Sequence, residues 1–319
     1  MAWRTLLERG GRRLGHVGPA RRWLSVERQV RPALRLEAGA CALPHPQKRA
    51  TGGEDAWFIS GNTVGVADGV GGWARKGIDS GEYSRTLMNS AKRTVTASTK
   101  TPTPLQVLTV AHRSAQCPGS STACIVQLED LSLRAINLGD SGFLLCRLLP
   151  DEEEGGALRW QAVHETPNQC HYFNCPYQLG FGANGDKVAL IDCSVEVTPT
   201  RLIMCAFVWD LQPEMGEVYE LETLEGDVVV LGTDGLFDNL FPKQITRLLD
   251  TVLPSSPEFD QHSMEKVASC IAHTAHKAAK GTKTKTPFAV AAQHAGYEYL
   301  GGKMDDITVV TGLVTAAEA

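Results

Sequence analysis

Aspartates at the ends of apolar runs are the residues of this 319-residue sequence whose types and spacing could do chemistry. Three such runs lead into an aspartate that is followed by glycine or by serine and glycine: Asp68, Asp140 and Asp234. Two further runs are preceded by an acidic pair, Glu54–Asp55 and Asp305–Asp306. A lone aspartate in a turn is usually structural, because its side chain accepts hydrogen bonds from the nearby backbone. Five acidic sites that all adjoin strands indicate instead that the carboxylates converge.

Converging carboxylates repel one another unless positive charge lies between them. Ligation by oxygen alone selects hard divalent ions, namely magnesium, manganese or calcium. The glycines after Asp68 leave room for a backbone carbonyl to reach such an ion as well. The sequence therefore predicts a divalent-cation centre that is built on the rigid ends of strands.

The sequence lacks the motifs of other classes of protein that bind or transfer phosphate. No P-loop pattern is present, and a cysteine-based phosphatase needs an arginine six residues after its cysteine, where Cys117 has Ala123. Residues 228–239 superficially resemble the aspartyl-phosphate phosphotransferases, but Gly232 stands where their nucleophile lies, two residues before Asp234. The nine cysteines include no C-x-x-C pair, which argues against structural zinc and favours reduced thiols in a reducing compartment.

Charge is divided unevenly along the chain. Residues 1–44 contain nine arginines, no lysine and three glutamates, whereas the whole chain has a net charge of −5. The body is therefore acidic, which argues against a nucleic-acid partner, since such partners are held by clustered lysine and arginine. The longest uninterrupted apolar run, 202–209, is far shorter than the roughly 20 residues that span a bilayer, so we expect no transmembrane segment.

Residues 1–40 are predicted to be a mitochondrial transit peptide or a disordered basic arm. Trp3, Leu6 and Leu14 can share one face of a helix with arginines on the other, as in cationic import signals. The string RRWLS resembles a processing signal, and cleavage is expected after Leu24. The predicted location is the mitochondrion, with the matrix as the expected destination, and nothing in the sequence indicates an oligomeric state.

Short strands and two long helices are the elements that must position the acidic residues. Residues 121–164 show the short apolar runs and turn signals of a β-meander. Residues 83–95 and 262–280 have apolar side chains at helical spacing. Predominantly antiparallel strands with segregated helices predict an α+β fold. We expect one domain over residues 45–319, with residues 195–218 as an irregular insertion.

Six motifs follow one another between residues 52 and 314: GEDAWF, VADGVGGW, GSSTACI, INLGDSG, GTDGLFDN and GGKMDDITVV. In this order they resemble the type 2C family of metal-dependent Ser/Thr protein phosphatases. The DGVGGW form and the transit-like N-terminus look most similar to the mitochondrial branch of that family. The resemblance implies a central antiparallel β-sandwich flanked by helix pairs, with two divalent ions, manganese or magnesium, at one end.

The resemblance also implies a role for each acidic residue. Asp68 would bridge the two ions, and it would be catalytic together with Asp234. The Gly69 carbonyl would bind one of the two ions, and Asp234 and Asp305 would bind the other. Glu54 and Asp55 would hold waters that are bound to the ions. Asp140 would support a weaker third ion.

The activity implied by the resemblance is hydrolysis of phosphoserine and phosphothreonine in mitochondrial proteins by a hydroxide that bridges the two ions. Two positions depart from the family pattern. Val70 stands where a histidine often protonates the leaving group, and water or His112 could serve instead. The usual phosphate-binding arginine would fall on Ala50, four residues before Glu54, so Arg49 is the candidate. These departures leave open an alternative: a weakly active or inactive phosphatase-fold protein with a binding or regulatory role.

Overall fold

The computed structural model describes residues 33–153, 155–182, 212–253 and 261–317, and four short strands between residues 191 and 206. The predicted transit peptide lies outside the described residues as far as residue 32. Within the described ranges, no helix is both long enough and apolar enough to cross a membrane.

Two antiparallel sheets of five strands each form the centre of the fold. The first sheet consists, from edge to edge, of β1 (Leu34–Leu43), β18 (Ile307–Ala316), β17 (Val228–Gly232), β7 (Gly142–Asp151) and β8 (Ala157–Glu165). The second sheet consists of β16 (Glu217–Glu222), β6 (Ser132–Leu138), β5 (Ala123–Glu129), β3 (Thr63–Asp68) and β2 (Asp55–Ser60).

The two sheets pack face to face around a shared layer of apolar side chains. Successive residues of a strand point to opposite faces of its sheet. Val64 and Val66 of β3 therefore lie in one buried cluster with Leu231 of β17 and Val310 of β18, whereas Ala67 belongs to the outer face. The predicted β-sandwich and the α+β class are thus confirmed.

Helices cover the outer faces of both sheets. On the second sheet Tyr83 and Leu108 are buried against the strand residue Ile125, and on the first sheet Ile271 is buried with Val309. The two helices predicted from apolar spacing at 83–95 and 262–280 are present. The helices are α1 (Ser80–Ala97), α2 (Pro104–Ser114), α3 (Asp234–Phe237), α4 (Pro242–Val252), α5 (Gln261–Ala279) and α6 (Pro287–His294).

Eight short strands form four more antiparallel pairs. Part of the predicted insertion 195–218 lies outside the described residues, and its last two residues belong to β16, so the predicted end of the insertion is wrong. The four pairs are β4 (Gly119–Ser121) with β11 (Leu179–Phe181), β9 (Cys170–Tyr172) with β10 (Cys175–Pro176), β12 (Ile191–Asp192) with β15 (Cys205–Ala206), and β13 (Glu196–Val197) with β14 (Thr200–Arg201).

The folded domain begins earlier than predicted. All ten residues of β1 pair with β18, so a domain start at residue 45, with residues up to 40 in a basic arm, is wrong. Leu34, Leu36 and Ala38 alternate toward the core and are buried. The strand pattern is obscured in the sequence by Arg35 and Glu37 on the other face, which form an ion pair at 2.7 Å.

Candidate metal centre

Four of the predicted acidic residues lie at one edge of the sandwich, where strands of both sheets begin or end. Asp55 begins β2 and Asp68 ends β3, and the antiparallel register places the two residues directly opposite each other. Asp234 comes just after β17, and Asp305 comes just before β18, its neighbour in the first sheet. The Thr233 hydroxyl donates a hydrogen bond to Asp55 Oδ2 at 2.8 Å, which joins the two sheets at this edge.

Asp306 fastens the loop between β1 and β2, residues 44–54, to the same edge of the sandwich. Its carboxylate accepts hydrogen bonds from the backbone N–H groups of His45 at 2.7 Å and of Glu54 at 3.1 Å. The second bond fixes the buried Glu54 beside β18. Asp306 therefore has a structural role that holds Glu54 in the centre.

Asp140 reaches this edge from the turn between β6 and β7, where the chain passes from the second sheet to the first. Gly139 has φ +106°, a conformation that glycine adopts readily and other residues rarely do. Asp140 is buried, and its negative charge acts on the carboxylate of Asp68. The predicted residues therefore converge, although they come from distant parts of the chain.

Burial and mutual repulsion raise the pKa of three of these carboxyl groups well above the usual aspartate range. For Asp68 the largest cause is burial, followed by the negative charges of Asp234 and Asp55. Burial is also the largest cause for Asp55 and Asp140. Such shifts mean that the ionised cluster is costly unless further positive charge enters it.

Oxygen atoms without partners mark where that charge would bind. Asp55 Oδ1, Asp140 Oδ1 and Asp234 Oδ1 are buried and accept no hydrogen bond from the described residues. Buried carboxylate oxygens are normally paired, because an unmet one keeps its full desolvation penalty. An all-oxygen set of this kind fits a hard divalent cation.

Two lysines that the sequence analysis missed lie among the carboxylates. The Lys303 ammonium group contacts Asp234 and lies 2.8 Å from Asp238 and 3.5 Å from Asp305. Burial lowers the pKa of Lys303, but the surrounding carboxylates outweigh burial and raise it well above the usual range. Within the described ranges, no three acidic, histidine or cysteine side chains are already arranged around a metal position. The Lys303 ammonium group lies among the carboxylates instead.

Lys48 is the second ammonium group in the centre. Its Nζ contacts Glu54 and lies 3.2 Å from Asp306 and 3.5 Å from Asp305. Burial alone would raise the pKa of Asp305, but Lys303, Lys48 and a backbone N–H together lower it. Asp305 is therefore ionised and ready to bind a cation.

The sequence did contain signals for Lys303 and for Asp238, a further carboxylate that the sequence analysis missed. Asp238 lies four residues after Asp234, one turn further along the chain, and its pKa is raised to about 7, chiefly by burial. Lys303 lies two residues before Asp305, the spacing that places side chains on one side of an extended segment.

Glycines in the motifs allow the backbones of the centre to approach closely. A Cβ atom at Gly69 would lie 2.7 Å from the carbonyl oxygen of Glu54 and nearer still to that of Ser80. A Cβ atom at Gly235 would overlap the carbonyl oxygen of Asp306. These two glycines therefore set the separation between the strand ends that carry the carboxylates.

Among the described residues Arg49 makes no ion pair with the carboxylates, and its role as the phosphate-binding residue stays a prediction. Arg49 is exposed, and its charge acts on His276 of α5, whose pKa it helps to lower after the larger effects of burial and Lys280. Lys48, one residue earlier, is the side chain that turns into the centre. His112 is hydrogen-bonded to the Tyr83 hydroxyl at 2.8 Å, between α2 and α1.

Comparison with known proteins identifies the family. No protein-family model matches the chain. The chain is 41% identical over 288 residues to "Probable protein phosphatase 2C 55" of Arabidopsis thaliana, covering 89% of this chain and 53% of that protein. It is 35% identical over 281 residues to "Protein phosphatase PTC7 homolog" of Homo sapiens, covering 84% of this chain and 81% of that protein. The chain belongs to the protein phosphatase 2C family.

Solved structures agree with this assignment. The photosystem II phosphatase PBCP matches with a TM-score of 0.67 and 29% identity, covering 88% of this chain and 100% of that chain. The catalytic domain of the serine/threonine phosphatase PstP, solved with two manganese ions, matches in fold with a TM-score of 0.51 and 15% identity, covering 88% and 99%. The chain spans only about half the length of the first plant relative.

Proposed function

We propose that this protein is a metal-dependent Ser/Thr protein phosphatase that acts on phosphorylated mitochondrial proteins. The observation that carries the proposal is the set of buried carboxylate oxygens without partners, on Asp55, Asp140 and Asp234. Membership of the protein phosphatase 2C family supports the reaction type.

The chain's own residues would hold two divalent ions, manganese or magnesium. Two such ions lower the pKa of bound water and stabilise the charge on the transferred phosphoryl group. Asp68 and Asp234 are the catalytic ligands in this proposal, since Asp68 ends β3 and the buried Asp234 follows β17 at the shared edge of the sheets. The remaining donors would be the Gly69 carbonyl, Asp305, and Glu54 and Asp55 through water.

Lys48 replaces Arg49 in the proposed site as the residue that contacts substrate phosphate. Its side chain is 29% exposed, so the ammonium group is open to solvent while it contacts Glu54, Asp305 and Asp306. A lysine binds phosphate as a point charge on a flexible stem. Lys48 would therefore hold the substrate phosphate against the acidic centre, which otherwise repels a dianion.

The experiment that tests the proposal is hydrolysis of a phosphothreonine peptide by the full chain with manganese, with magnesium and with chelator. Asp68→Asn and Asp234→Asn are expected to abolish turnover. Asp130→Asn is the matched control, because Asp130 is an exposed turn residue at φ 53°, which asparagine also tolerates. Turnover that survives chelator or both substitutions would refute the proposal. A folded protein that binds manganese without turnover would favour the binding or regulatory alternative.

We propose in addition that the arginine-rich segment before β1 directs import into the mitochondrion, with cleavage after Leu24. Residues 1–44 contain nine arginines and only three glutamates, which supports this proposal. The similarity to the PTC7 homolog supports it as well. N-terminal sequencing of the protein recovered from cells is expected to start at Ser25. An intact Met1 on the recovered protein would contradict import with cleavage.

A further inference from the structure

Lys303 places a positive charge in the middle of the acidic centre. Its ammonium group contacts Asp234, Asp238 and Asp305, and only 16% of its side chain is exposed. Asp140 is a fourth carboxylate within electrostatic reach, since each of the two groups shifts the pKa of the other. One ammonium group therefore contacts three carboxylates of the centre and acts electrostatically on a fourth.

The backbone of Lys303 is fixed, so this position is built into the fold. The Asn239 side chain accepts a hydrogen bond from Lys303 N at 3.0 Å and donates one to Lys303 O at 2.8 Å. Asn239 is itself buried and donates to the Gly235 carbonyl at 2.9 Å. The same amide thus ties Lys303 to the helix that begins at Asp234.

The side chain of Lys303 is held as well. Its ammonium group lies 5.3 Å from the centre of the Phe288 ring, where a cation–π attraction applies. Asp238, on the same short turn as Asp234, gives the ammonium a carboxylate partner that the resemblance does not assign to either of the two principal ions. Lys303 can therefore keep this contact when Asp234 and Asp305 bind metal.

We propose that Lys303 is a resident cation that takes the place of the third metal ion expected beside Asp140. This inference rests on the proposed function, in which two divalent ions bind the centre. An ammonium group in contact with Asp234 and Asp238 and a divalent ion bound to the same carboxylate oxygens cannot occupy the same space. The protein would therefore bind two ions where the resemblance allows a third, and Lys303 would exclude that third ion.

The test is the number of manganese ions bound by the full chain, measured by calorimetric titration and by metal analysis after desalting. Lys303→Met removes the charge and keeps the stem, and Lys243→Met is the control, because Lys243 is an exposed lysine on α4. We expect two ions in the wild-type protein and the control, and three in Lys303→Met. We also expect the variant, without metal, to melt at a lower temperature than the wild type and to regain the difference with manganese.

Each other outcome has a defined meaning. Two ions in both the wild type and Lys303→Met would overturn the inference and leave the proposed function intact. No manganese in the wild type would overturn the proposed function, and this inference with it. If Lys303→Met does not fold, Lys303→Gln, which keeps a hydrogen-bond donor without the charge, is titrated in its place with the same expected third ion. An unchanged ion count with weaker peptide binding would instead assign Lys303 to the substrate.

Discussion

Replacing Gly69 with alanine should damage the metal centre through a small, calculable displacement. The new Cβ atom would lie 2.7 Å from the Glu54 carbonyl oxygen and nearer to that of Ser80. Reaching an ordinary carbon–oxygen contact requires one strand to move by about 0.7 Å or more relative to the other. That movement separates the segment of Glu54 and Asp55 from Asp68. Metal sites tolerate errors of only about 0.2 Å in ligand distance.

We therefore expect Gly69→Ala to weaken manganese binding and to reduce phosphopeptide turnover by roughly a hundredfold, as misplacements of this size do elsewhere. Overpacking should also cost about 1–3 kcal/mol of the free energy of unfolding. The assays are calorimetric titration with manganese, turnover of a phosphothreonine peptide, and denaturant unfolding.

Gly61→Ala is the matched control, because Gly61 lies in the turn that joins β2 to β3, the same two strands. Its φ is +53° and a Cβ atom there would meet nothing within 4 Å. Alanine at this position should cost about 1 kcal/mol of stability and leave manganese binding unchanged. Wild-type manganese affinity and turnover within a few-fold of normal in Gly69→Ala would refute the reasoning.

Three further predictions follow from the fold and the site. Arg147→Met should lower the free energy of unfolding, measured with denaturant, by about 3 kcal/mol, because it leaves the buried Asp227 without its two 2.7 Å hydrogen bonds to Arg147. Arg134→Met removes an exposed ion pair and should show no measurable loss in the same assay. Deleting residues 1–44 should prevent folding, since it removes β1, while deleting residues 1–31 should leave a folded protein by circular dichroism; a soluble, cooperative fold without β1 would contradict this. Adding chelator to manganese-loaded protein should remove about 2.7 kcal/mol of stability for each site that was held at a hundredfold excess over its dissociation constant, and an unchanged melting temperature would contradict a metal centre.

The acidic residues of the centre were predictable because each one adjoins a strand. Asp68 and Asp234 follow apolar runs and precede glycine, and rigid strand ends convert that local pattern into convergence. The register that places Asp55 opposite Asp68 follows from the hairpin of β2 and β3, which is local in sequence. The sandwich was implied by the resemblance of the six motifs, and its central strands are continuous apolar runs, because helices cover their outer faces.

Residues whose position depends on packing between distant segments were not predictable. The spacing of Lys303 from Asp305 is a local signal, but Lys303 lies next to Asp234 because Asn239 binds its backbone across 64 residues of chain, and no local pattern encodes that second contact. Lys48 was overlooked for a similar reason, since the loop that Asp306 fastens turns Lys48 inward and leaves Arg49 exposed. β1 was missed because more than half of its residues are charged or small.

The most direct test of the central claim is anomalous X-ray diffraction from crystals of the full chain soaked in manganese. We expect two anomalous peaks at the edge of the sandwich, both within ligand distance of Asp68, with Asp234 and Asp305 at one of them. Peaks elsewhere on the protein, or an acidic centre that stays without manganese at saturating concentration, would contradict it.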